Sequence, residues 1–72
     1  MSYTVNLLWD SEASVWVATS DDIKGLVIES GSLDVLIERV RMAVPGLLKL
    51  NNQSLEHAKI CFLTERVEEV CA

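Results

Sequence analysis

Val15-Trp16-Val17-Ala18-Thr19-Ser20-Asp21-Asp22-Ile23-Lys24-Gly25-Leu26-Val27-Ile28-Glu29-Ser30-Gly31 decides how this chain folds. Val15 to Thr19 is dense in β-branched and aromatic residues and reads as a strand. Ser20-Asp21-Asp22 breaks that pattern. Gly25 then opens a second apolar run, Leu26-Val27-Ile28, which Ser30-Gly31 closes. Two strands joined by so short an acidic turn pair antiparallel.

Upstream, Tyr3 to Trp9 alternates: Tyr3, Val5, Leu7 and Trp9 on one side, Thr4, Asn6 and Leu8 on the other. A period of two marks a strand with one apolar face. Asp10-Ser11-Glu12-Ala13 suits a four-residue hairpin loop built on a type I turn. Downstream, Ser32 is placed as a helix N-cap, with Asp34 in the first turn where the dipole favours negative charge. Leu33, Leu36, Ile37, Val40, Val44, Leu47 and Leu48 form the buried stripe of an amphipathic helix. Glu38 and Arg41 are spaced as an i,i+3 pair. Pro45 should kink that helix, or stop it and restart a short one from Pro45 to Leu50. After the loop Asn51-Asn52-Gln53-Ser54, His57 to Val67 alternates again as a fourth strand, with an acidic end at Glu68-Glu69.

The expected fold class is therefore α+β, in the order β-β-β-α-β, as a single domain over residues 1–72. A right-handed helical crossover brings the last strand beside the first and parallel to it. The sheet order becomes 3-2-1-4, a mixed sheet with the helix on one face. If Tyr3, Val5, Leu7, Val15 and Val17 face the helix, then Leu8, Trp16 and Ala18 face outward. Cys61 and Leu63 join them if Ile60 and Phe62 point in. That gives an apolar patch on an open sheet, the usual mark of a protein interface. A one-residue slip in register would exchange the faces.

Composition narrows the function. The chain has 72 residues, 50% of them hydrophobic, and a formal net charge of -5. A domain of this size buries only about 60% of its unfolded surface, so self-association is expected to help it. The negative field repels a phosphate backbone, so direct nucleic-acid binding is not expected. A basic protein partner is the better electrostatic match. No signal-peptide pattern opens the chain and no apolar run approaches a membrane span, so it reads as cytoplasmic, with Cys61 and Cys71 reduced.

The segment Val15-Trp16-Val17-Ala18-Thr19-Ser20-Asp21-Asp22-Ile23 with Gly25-Leu26 resembles the stretch that marks the HicB-like superfamily. Trp9-Asp10 and the helix running into Pro45 and Leu47-Leu48 before Asn51 are similar to a small single-domain bacterial family within it. Lys24 stands where that pattern usually has proline, and Gly46 where a helix former is usual. The resemblance implies a reduced RNase H-like fold and the partner-binding part of an antitoxin, which masks a small basic RNA-cleaving toxin of the HicA type. HicB antitoxins also carry a DNA-binding segment, which is not expected here after the fourth strand.

Residue by residue, catalytic chemistry is not expected. Val5-Asn6-Leu7 lacks the mid-strand carboxylate that a two-metal nuclease needs, and Asp10, Glu38 and Glu65 are scattered. His57 is the lone histidine and reads as an exposed polar residue. Cys61 and Cys71 lack zinc-site spacing, so no metal and no cofactor are expected. Trp9 and Trp16 sit in no basic groove, which favours packing over base stacking. The candidate interface is Leu8, Trp16, Ala18, Asp21, Asp22, Cys61 and Leu63, with the two aspartates either attracting a basic surface or simply forming the turn. The alternative to an antitoxin-like role is a stand-alone homodimer with a scaffolding or small-ligand function.

Overall fold

Five elements follow one another in the computed structural model, which describes residues 2–71: β1 Ser2–Asp10, β2 Val15–Thr19, β3 Val27–Ser30, α1 Leu33–Leu50 and β4 Lys59–Glu65. They form one four-stranded sheet in the order β3-β2-β1-β4. β1 pairs antiparallel with β2 and parallel with β4, and β2 pairs antiparallel with β3. This is the expected mixed α+β sheet with a single crossover helix.

The helix begins where a side chain can replace its missing bonds. Ser32 is extended, and its hydroxyl accepts the Val35 N–H at 3.3 Å. Leu36, Val40, Val44 and Leu48 are buried along one stripe, as the spacing requires. The helix packs across β2 and β3. Of the two outcomes expected at Pro45, the stop and restart does not occur: α1 continues to Leu50. Pro45 lies on the exposed side. There the carbonyl left without its usual donor can bond to water, while buried Val44 and Leu48 hold the helix to the sheet on both sides of the proline.

The inner face of the sheet carries Tyr3, Val5 and Leu7 from β1, with Trp16 and Ala18 from β2. Val15 and Val17, expected inside, lie on the other face with Leu8. Trp16 and Ala18 therefore leave the candidate interface; both are core residues, Ala18 fully so. The reason is loop arithmetic. Ser11 to Ser14 is an even-length connection, so it pairs odd residues of β1 with even residues of β2, Leu7 with Ala18 and Trp9 with Trp16. Cross-strand partners share a face. The turn is set by Asp10, whose Oδ1 accepts the N–H groups of Glu12 at 3.0 Å and Ala13 at 3.2 Å.

Two loop residues complete the core. Ile23 and Leu26, between β2 and β3, are buried as deeply as the sheet residues. Gly25 between them holds φ +89°, a conformation that side chains disfavour, and its backbone lies against Leu47.

Candidate functional site

The sheet face away from the helix is open, and the strand register lays its side chains out in rows. Glu29, Val17, Leu8 and Glu65 form one row across β3, β2, β1 and β4. Val27, Thr19, Asn6 and Leu63 form the next. Thr4 and Cys61 pair in a third row on β1 and β4. The rows are spaced by two residues of rise, about 7 Å, and the two glutamates of the first row lie about 14 Å apart across three strand spacings. Leu8 is 45% exposed, Leu63 52% and Val27 72%. The face is thus a small apolar centre, Leu8 and Val17, between two carboxylates. It is narrower and more polar than alternation alone suggested, because the large ring of Trp16 belongs to the core.

The acidic turn is built into the fold. Beyond Thr19, β2 bends away from β1, and side chains take over the ladder. The Asp22 carboxylate accepts the Thr4 N–H at 2.7 Å, and the Ser20 hydroxyl donates to the Thr4 carbonyl at 2.6 Å. The same hydroxyl accepts the N–H groups of Asp22 and Ile23, each at 3.1 Å. From the loop after α1, Gln53 donates to the Asp22 carbonyl at 2.7 Å and Asn51 to the Lys24 carbonyl at 2.8 Å. Asp22 is thereby occupied as a backbone acceptor, while Asp21 beside it is exposed. Of the candidate residues, the open face brings together Leu8, Cys61 and Leu63, and the aspartates sit at its edge. Val17, Glu29 and Glu65 are the residues that the sequence reading missed. Loop parity was the signal that would have found Val17.

At the opposite end of the inner face, Trp9 and Trp16 meet edge to face, 5.4 Å apart and 61° inclined. The Arg66 guanidinium lies 4.1 Å above the Trp9 ring and bonds to Glu68 at 2.6 Å. This cluster closes the core where β4 ends. Cys61 and Cys71 are both exposed free thiols. His57 sits outside β4 at φ 52°, exposed, with Nε2 3.9 Å from the Glu56 carboxylate. Among the described residues no group of three or more His, Cys, Asp or Glu side chains is arranged to hold a metal ion. Among them, too, no helix is long and apolar enough to cross a membrane.

A mixed sheet with one covered and one open face defines a small α+β module whose candidate site is a surface rather than a cleft. Residues 2–70 match the family described as a domain of unknown function, DUF1902, and the chain belongs to that family. Among solved structures it is similar to a hypothetical protein from the extremely thermophilic bacterium Thermus thermophilus. The two are 37% identical and superpose with a TM-score of 0.85 over 97% of this chain and 100% of that one. No curated protein matches the chain.

Proposed function

We propose that this chain is a non-catalytic protein-binding module, akin to the partner-binding domain of HicB antitoxins, that docks a small basic protein on its open sheet face. The observation that carries the reading is the row Glu29-Val17-Leu8-Glu65, in which two carboxylates flank an apolar pair. Such a row suits a partner element with an apolar contact residue between two cationic ones. The apolar centre supplies area, at about 25 cal/mol per Å² gross, and the flanking charges supply orientation and association rate. The net charge of -5 attracts the same class of partner from a distance. The resemblance of Val15 to Leu26 to the HicB-like stretch supports an RNA-cleaving toxin as that partner, masked on its basic surface.

The test is co-expression with the small basic protein encoded by an adjacent gene, followed by gel filtration. The expected result is a complex that persists on the column and silences the partner's RNA cleavage. Leu8→Lys combined with Glu65→Lys should abolish that complex while leaving the circular dichroism spectrum unchanged. A complex indifferent to both substitutions, or none with any such neighbour, overturns the reading.

A further inference from the structure

We infer that two copies of this chain join through the free edge of β4 in one specified antiparallel register, centred on Phe62. The inference concerns a strand edge, not the open face, and stands whether or not that face binds a basic protein.

The two edges of the sheet are unequal. β3 is only four residues long, and its Glu29 carbonyl already accepts the Arg39 guanidinium at 3.1 Å. β4 has seven residues, Lys59 to Glu65, with no proline, and among the described residues no strand lies beyond it. Long unpaired edges of this kind recruit another strand unless they are blunted. The helix does not obstruct the approach, since it packs over β2 and β3 at the other side of the sheet. The Arg66 side chain, just after β4, reaches inward over Trp9 on β1.

Which backbone groups that edge presents follows from the ladder. Along a strand, N–H and C=O of one residue point to one side and those of the next to the other. Thr4 has both of its groups bonded to Asp22 and Ser20, on the β2 side, so the even residues of β1 face β2. Asn6 is paired with Leu63 in the parallel β4, so the odd residues of β4 turn toward β1. Ile60, Phe62 and Thr64 therefore direct their N–H and C=O groups to the open edge. The Glu29 carbonyl obeys the same alternation at the β3 edge, where Arg39 reaches it.

Antiparallel pairing about Phe62 uses all of these groups. Phe62 bonds with its counterpart, and Ile60 exchanges both bonds with Thr64 of the second copy. The side chains agree with this register. Lys59 falls opposite Glu65 on the outer face, twice by symmetry, so the only two charges in the strand pair with opposite sign. Cys61 falls opposite Leu63. On the inner face the half-buried rings of Phe62 meet, and half-buried Ile60 gains a neighbour. A parallel arrangement, or an antiparallel register shifted by two residues, breaks the charge match. The product is a continuous eight-stranded sheet in which both open faces lie on the same side.

Sedimentation at micromolar concentrations should give about twice the 8.0 kDa chain mass. Thr64→Pro removes an N–H that only the dimer uses, because this N–H faces the open edge. It should yield a folded monomer by circular dichroism. Lys59→Glu should weaken the dimer several-fold to roughly tenfold, and adding Glu65→Lys to it should restore the affinity. Leu63→Cys in a Cys71→Ser background should, on mild oxidation, give a covalent dimer. Its disulfide should join Cys61 of one copy to the introduced thiol of the other. A strictly monomeric wild-type profile overturns the inference. So does a dimer that Thr64→Pro leaves intact, a charge exchange that does not rescue, or oxidation that links Cys61 to Cys61 instead. A wild-type chain that is monomeric yet still binds a basic protein would remove this inference alone.

Discussion

Placing threonine first at position 17 and then at position 18 asks which face of β2 is buried. Val17→Thr replaces a half-exposed side chain with one of the same shape and β propensity on the open face. A surface change of this kind alters stability by no more than about 0.5 kcal/mol. Ala18→Thr places the same side chain one residue on, at a position with no exposed surface, between Leu7 on β1 and Ile28 on β3. Overpacking there costs about 1–3 kcal/mol, and a buried hydroxyl without a partner about 1–3 more. In a domain of this size each kcal/mol moves the melting temperature by about 4–8 °C. Val17→Thr should therefore melt within about 4 °C of the wild type and Ala18→Thr at least about 8 °C lower. Thermal unfolding followed by far-ultraviolet circular dichroism measures both. Equal losses, or a larger loss at Val17, would refute the assignment of the two faces and with it the proposed docking row.

Four further substitutions probe the supports of the face. Ser32→Ala removes the N-cap acceptor of Val35 and should cost about 1 kcal/mol, seen as a lower urea midpoint at an unchanged slope. The two glycines should respond oppositely to alanine. Gly46, in the helix with open space around it, gains up to about 1 kcal/mol, while Gly25 at φ +89° loses about 1–2 kcal/mol, both read from thermal midpoints. Asp22→Ala strips the Thr4 N–H of its acceptor and should cost about 1–2 kcal/mol in chemical denaturation even with no partner present.

The element order, sheet order and helix stripe were legible because each rests on a local period that the tertiary structure reinforces. Tyr3-Val5-Leu7 and Leu36-Val40-Val44-Leu48 are the two halves of one core, and each repeats with the period of its own element. The face of β2 was not read correctly, although its signal was present. Val15-Trp16-Val17-Ala18-Thr19 is apolar or small on both sides, so alternation alone could not choose. The even length of the preceding loop could. Ile23 escaped because it lies in a loop, where no period exists; Leu26, read as the start of the third strand, lies in the same loop, which bonds from Ser20, Asn51 and Gln53 help to hold against the core. Asp22 looked like a surface charge because its service to Thr4 links residues eighteen apart in sequence. The carboxylates of the proposed docking row were invisible singly: Glu29 and Glu65 come from strands at opposite edges of the sheet.

Amide chemical-shift mapping of the isotopically labelled chain, titrated with a small basic protein of the proposed partner class, tests the proposed docking surface most directly. The account predicts that the largest shifts fall on Leu8, Val17, Glu29, Glu65 and their row neighbours Asn6 and Leu63, while the exposed residues of α1 stay still. Shifts concentrated on the helix, or a spectrum that no such protein alters, would contradict it.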